Sequence, residues 1–180
     1  MPRLFIGLEL PDTLTEALLS LHCDIPGARW QSAGQLHLTL CFTGNVDDAT
    51  AQAVQQCLAR VEAARFDIAL QRIGCQGNPH HPRTLWTGVT PRAPLAALNQ
   101  RIGAQLEAIG LPPDTRRYRP HVTLARFRKN AGSVADFLAA NADQAWPPFT
   151  VTEFTLFQST LSPEGSHYNV VERFALVPED

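Results

Sequence analysis

One four-residue pattern occurs twice in this chain, as His37-Leu38-Thr39-Leu40 and as His121-Val122-Thr123-Leu124. Each copy lies in an alternating apolar run, which predicts a strand. Residues two apart on a strand share a face. Each copy therefore sets an imidazole beside a hydroxyl and turns its apolar residues to the other side. A fold that brings two such strands together offers two imidazoles and two hydroxyls to one small anion.

The order of elements around the two copies also repeats. The first half reads as a strand over 4–10, a helix over 12–22 and the tetrad strand over 36–42. A helix capped by Asp47 or Asp48 and ending near Ala64 follows, then a strand over 66–73. The second half reads as a strand over 84–89, a helix over 94–109 and the second tetrad strand. In that helix Leu95, Leu98, Ile102 and Leu106 form one stripe, with Gly110 as its stop. A short helix capped by Ser133 and a strand over 149–157 follow. A last strand over 169–176 comes after the turn Ser162-Pro163-Glu164-Gly165. From Leu4 to His37 is 33 positions and from Leu85 to His121 is 36; from His37 to Phe66 is 29 and from His121 to Phe149 is 28. Such matching points to an internal duplication. The predicted fold is α+β: two pseudo-symmetric lobes, each a mainly antiparallel sheet with helices on its outer face, and a central cleft lined by the tetrads from opposite sides. The expected unit is a single bilobal domain spanning 1–180, with halves at about 1–78 and 79–180. The Gly/Pro/His-rich stretch Gly74 to Arg83 reads as a linker or flap.

Composition narrows the functional class. An apolar fraction of 44% and a net charge of −2 describe an ordinary globular chain, not a broad nucleic-acid binder. No apolar run is long enough to span a membrane. The opening Met1-Pro2-Arg3-Leu4-Phe5-Ile6-Gly7 reads as a strand rather than a signal peptide, so a cytoplasmic protein is expected. Cys23, Cys41, Cys57 and Cys75 have no metal-site spacing and are expected as reduced, mostly buried thiols. Arg116, Arg117, Arg119, Arg126, Arg128 and Lys129 cluster around the second tetrad, and only one of the 15 basic residues in the chain is Lys. Arginine favours bidentate contact with phosphate.

The paired tetrads suit acid–base chemistry on a phosphate ester without a metal. A neutral histidine takes a proton from the attacking group and a protonated one supplies the leaving oxygen. The threonine hydroxyls donate to non-bridging oxygens and stabilise the charge that develops there. In-line displacement needs acid and base on opposite sides of phosphorus. A strained five-membered cyclic phosphate fits this machinery. The residues alone leave open which histidine is the acid. The other histidines read as ordinary: His80 and His81 exposed, His22 at a helix end, His167 in a turn. Trp86 reads as core.

The paired motifs resemble the two His-x-Thr-x motifs of the 2H phosphoesterases. More narrowly, the chain is similar to the bacterial and archaeal RNA 2′,3′-cyclic phosphodiesterases, also called 2′-5′ RNA ligases. The resemblance runs from Arg3-Leu4-Phe5-Ile6-Gly7-Leu8-Glu9-Leu10-Pro11, through the first tetrad with Thr43-Gly44-Asn45-Val46, to Arg119-Pro120 and the second tetrad with Ala125-Arg126. It ends at Leu156 to Leu161 with Pro163-Glu164-Gly165 and Tyr168. Cys41 and Thr43 stand where the family pattern suggests Ala and Leu. The resemblance implies a two-lobed fold and hydrolysis of RNA 2′,3′-cyclic phosphate ends to 2′-phosphates. It also implies weak ATP-independent 2′-5′ joining of RNA ends. It assigns His37 as proton donor, His121 as proton acceptor, and Thr39, Thr123 and Arg126 as phosphate ligands. Phe42, five places after its histidine as Arg126 is after its own, reads either as a stack for a base or as core packing. Strict alternation puts Phe42 and Arg126 on the wrong face, so each strand must bulge just after its tetrad.

No cofactor and no metal are expected. The expected partners are RNA ends with a 2′,3′-cyclic phosphate, tRNA fragments among them, or small nucleotide analogues; the expected state is a monomer without a membrane partner. The competing readings are a cyclic phosphodiesterase acting on a cyclic nucleotide or on ADP-ribose cyclic phosphate, an RNA-end-binding protein without turnover, and a metal hydrolase that would lose activity in EDTA.

Overall fold

A computed structural model describes residues 1–179. Its elements run β1 (Arg3–Leu8), α1 (Asp12–Leu19), β2 (Ala28–Trp30), β3 (Leu38–Asn45), α2 (Asp48–Leu58), β4 (Phe66–Asn78) and β5 (His81–Thr90). They continue with α3 (Ala93–Ala108), β6 (His121–Phe127), α4 (Ala135–Asn141), β7 (Phe149–Val151), β8 (Glu153–Ser162) and β9 (Gly165–Ala175). The fold is α+β, as the repeat predicts. The strands join into one curled sheet, ordered β7-β4-β5-β6-β3-β1-β8-β9, with β2 added onto β6. The named strands pair antiparallel throughout.

The tetrads alternate as expected: Leu38, Leu40, Val122 and Leu124 are all buried, at 0–2% exposure. That apolar face meets the helices. The stripe Leu95, Leu98, Ile102 and Leu106 of α3 is buried, and α3 packs on both β3 and α2. Asp47 accepts the Thr50 amide at 2.7 Å and so starts α2. Gly110, at φ 87°, ends α3 in the left-handed conformation that a side chain resists.

Several boundaries differ from those the sequence suggests. The strand expected over 149–157 breaks at Thr152 into β7, which pairs with β4, and β8, which pairs with β1. The closing strand of each sequence half therefore lies beside strands of the other half. The tetrad strands are hydrogen-bonded neighbours in one sheet, rather than partners facing each other across two separate sheets. The stretch Gly74 to Arg83 is no loop: β4 and β5 form a long hairpin turning at Pro79 and His80. Gly74 is required there because the Trp86 indole fills the space a Cβ would take, 2.4 Å from Trp86 Cζ2. Trp86 itself is only partly buried, and its partner Thr123 puts it on the open face, not in the core. β2 was not anticipated. α1 and α2 stop earlier than expected, at Leu19 and Leu58. His167 lies in β9, not in a turn. All four cysteines are free thiols, but only Cys57 is buried and Cys23 is exposed.

Candidate active site

Leu38 pairs with Val122, and that register fixes the arrangement above them. In an antiparallel pair it sets His37 beside Thr123 and Thr39 beside His121. The two imidazoles occupy one diagonal of the quartet and the two hydroxyls the other. Diagonal neighbours in a regular sheet stand roughly 7–8 Å apart. A phosphorus atom above the centre would have one imidazole on each side.

The bulges that the sequence requires are present at equivalent places. Ile6 pairs with Cys41 and Gly7 with Thr39, which leaves Leu40 as the extra residue in β3. Leu85 pairs with Ala125 and Trp86 with Thr123, which leaves Leu124 as the extra residue in β6. Each bulge resets the alternation. Ala125 goes to the core, Arg126 and Phe42 come to the histidine face, and both are exposed. Asn99 of α3 donates to the Leu40 carbonyl at 2.7 Å and so satisfies a group the bulge frees from the ladder. Cys41 lies against the same Asn99, and burial pushes its thiol up to about 11.

Both histidines are oriented by the same device. His37 Nδ1 lies 2.7 Å from the Gln35 carbonyl, and His121 Nδ1 lies 2.7 Å from the Arg119 carbonyl. A carbonyl only accepts, so each Nδ1 carries a hydrogen and each Nε2 is the nitrogen that can exchange a proton. His37 Nε2 also meets Thr39 Oγ1 at 2.9 Å. The Tyr118 hydroxyl donates to the Thr39 carbonyl at 2.8 Å, and burial pushes its pKa upward.

The surroundings of the two imidazoles differ. His121 is exposed, whereas His37 sits among Phe5, Phe157 and Tyr168, with ring centroids 4.9, 6.1 and 5.1 Å away. Desolvation lowers the His37 pKa. The Gln35 carbonyl opposes that shift, and the charges of Arg126 and His121 add to it. Phe42 is 63% exposed, 6.1 Å from Phe5. The arginine cluster divides: Arg126 joins the site, while Arg116 is tied to Asp114 at 2.6 Å. No cluster of three or more His, Cys, Asp or Glu among the described residues could hold a metal ion. Gln35, Asn99, Tyr118, Phe5 and Phe157 escaped the sequence reading. Only the matching carbonyls two residues before each histidine had a visible signal, in the repeat itself.

A quartet of His and Thr on a curled antiparallel sheet makes a candidate site of the 2H phosphoesterase type. Residues 17–161 match the 2′-5′ RNA ligase superfamily, and the chain belongs to that family. It is similar to the RNA 2′,3′-cyclic phosphodiesterase of Archaeoglobus fulgidus, with 27% identity over 96% of this chain and 99% of that one. It is also similar to the protein of that name from Thermus thermophilus, with 31% identity over 97% and 90% of the two chains. Among solved structures, E. coli LigT complexed with phosphate superposes with a TM-score of 0.78 at 26% identity, covering 98% of both chains. No helix among the described residues is long and apolar enough to cross a membrane.

Proposed function

We propose that this protein hydrolyses RNA 2′,3′-cyclic phosphate ends to 2′-phosphomonoesters through a two-histidine mechanism that needs no metal or other cofactor. The enzyme is an RNA 2′,3′-cyclic phosphodiesterase, in line with the names of its relatives. The observation that carries the mechanism is the matched pair of Nδ1-to-carbonyl hydrogen bonds, which makes Nε2 the exchangeable nitrogen of both imidazoles, with His37 Nε2 in contact with Thr39 Oγ1.

In this reading the phosphate sits over the quartet, with its non-bridging oxygens on Thr39, Thr123 and Arg126. His121 Nε2 takes a proton from water, whose oxygen bonds to phosphorus. The bond from phosphorus to the 3′ oxygen breaks, and His37 Nε2–H protonates that oxygen. The phosphate stays on the 2′ oxygen. A 5′-hydroxyl in place of water gives a 2′-5′ linkage by the same step, which accounts for weak ATP-independent joining. Burial makes protonated His37 an avid donor, and a bound phosphate anion holds it protonated. Phe42 stacks on the terminal base. Monomeric action in the cytoplasm on RNA ends, tRNA fragments among them, is the setting we assign. The 1–180 chain works as one bilobal unit.

The test is direct. Purified protein in EDTA should convert cyclic-phosphate RNA to a product resistant to 3′-nucleotidase and sensitive to general phosphatase. Turnover that vanished in EDTA, or binding of ends without turnover, would reject the proposal. Mononucleotide 2′,3′-cyclic phosphates assayed in parallel distinguish the small-substrate reading.

A further inference from the structure

The quartet accounts for one phosphate, but the positive charge continues past it. After its bulge, β6 carries Arg126 on the open face, and Arg128 follows just past the end of the strand. Arg29 of β2 pairs directly with Arg126. Like charges placed opposite one another disfavour the sheet unless an anion lies over them. None of the ion pairs among the described residues involves either arginine. Beyond them, His81, Arg83, Arg128 and Lys129, together with Pro82 and Phe127, line a groove of about 330 Å³, and no carboxylate lines it. The Arg128 amide donates to Gly27 O at 3.1 Å, which anchors the chain where it leaves β6.

We infer that this groove binds the backbone of the RNA strand upstream of the cyclic end. The inference rests on the function proposed above. Thr123 and Arg128 are five residues apart with one residue taken up by the bulge, which leaves about 13 Å of extended chain between them. A mononucleotide held at the quartet has no phosphate to offer at that distance, whereas an oligonucleotide does. Arg126, Arg128 and Lys129 follow one another along the chain, and Arg83 faces them from β5, so the charge is extended rather than gathered at one atom, which suits a polyanion. Phe127, partly exposed at the groove, offers a ring to a sugar or base, as in grooves that track single strands. The protein thus distinguishes RNA ends from small cyclic nucleotides by reach, through residues that take no part in the chemistry.

The triple variant Arg83→Gln, Arg128→Gln, Lys129→Gln tests this. All three side chains are exposed, so the variant should melt with the wild type. At about 50 mM salt, kcat/KM on a cyclic-ended RNA of about six nucleotides should fall about 10-fold or more, and kcat/KM on a 2′,3′-cyclic mononucleotide should not change. In a separate binding measurement, a single-stranded 3′-phosphorylated RNA should show a salt dependence shallower by about 2 in log–log slope. Equal losses on both substrates, or an unchanged oligonucleotide rate, overturn the inference. An unchanged salt slope overturns it even if the wild type hydrolyses neither substrate, and that second failure would sink the catalytic proposal separately.

Discussion

Leu38 of β3 and Val122 of β6 stand opposite each other and form the ladder step that joins the two halves of the sheet. Both are completely buried, so the packing under the quartet also sets the spacing of the residues above it. Leu38→Ala should cost about 2–5 kcal/mol of stability through the cavity it leaves. It should also lower kcat at temperatures where the protein stays folded. Chemical denaturation paired with steady-state kinetics checks both; full activity in the folded variant would show that the junction does not position the site.

Gly7 lies across from the bulge in β3. A Cβ there would sit 2.7 Å from the Leu38 carbonyl oxygen and 3.6 Å from His37 Cδ2. The contact is with backbone, which cannot rotate away. Gly7→Ala should displace the first tetrad and reduce kcat on the order of 10²-fold, with a smaller change in KM. Wild-type kinetics in this variant would mean that β3 tolerates the shift.

The two histidine roles separate by leaving-group chemistry. His37→Ala and His121→Ala should each lose about 10²–10⁴-fold on normal cyclic phosphate. A substrate with sulfur in place of the 3′ oxygen needs little protonation on departure. It should restore much of the rate to His37→Ala and little to His121→Ala. The reverse pattern would exchange the roles.

Phe42 is tested by the contrast between binding and folding. Its ring is 63% exposed, so Phe42→Ala should leave the melting temperature nearly unchanged. Loss of base stacking should weaken substrate binding by about 1–3 kcal/mol, read as a higher KM. A drop in stability with unchanged KM would return Phe42 to a packing role.

Burial holds His37 below its ordinary value of 6.5. Between the unfolded and the lower folded pKa, the unfolded chain binds more protons than the native one, so stability rises with pH in that window. The contribution of His37 is complete above about 6.5 and is lost as pH falls through the lowered folded value. Thermal unfolding against pH should therefore decline less steeply on acidification in His37→Asn than in the wild type. His22, whose pKa burial also lowers, is present in both proteins and cancels in the comparison.

The local pattern was legible because it depends only on backbone period. Alternation placed His37 with Thr39 and His121 with Thr123 over buried leucine and valine, and the same reasoning required a bulge before Phe42 or Arg126 could reach that face. Helix α3 was equally readable, from its apolar stripe and its glycine stop. The repeat alone supplied the two histidines and two threonines of the quartet.

Partnership between strands was settled only in three dimensions. Sequence period says nothing about which edge a strand joins, so the break at Thr152, the exchange of β4 and β8 between halves and the addition of β2 were invisible. The burial of His37 by Phe5, Phe157 and Tyr168, and the support of Leu40 by Asn99, come from residues distant in the chain. Their proximity follows from the packing of the whole sheet against its helices, which no local pattern encodes.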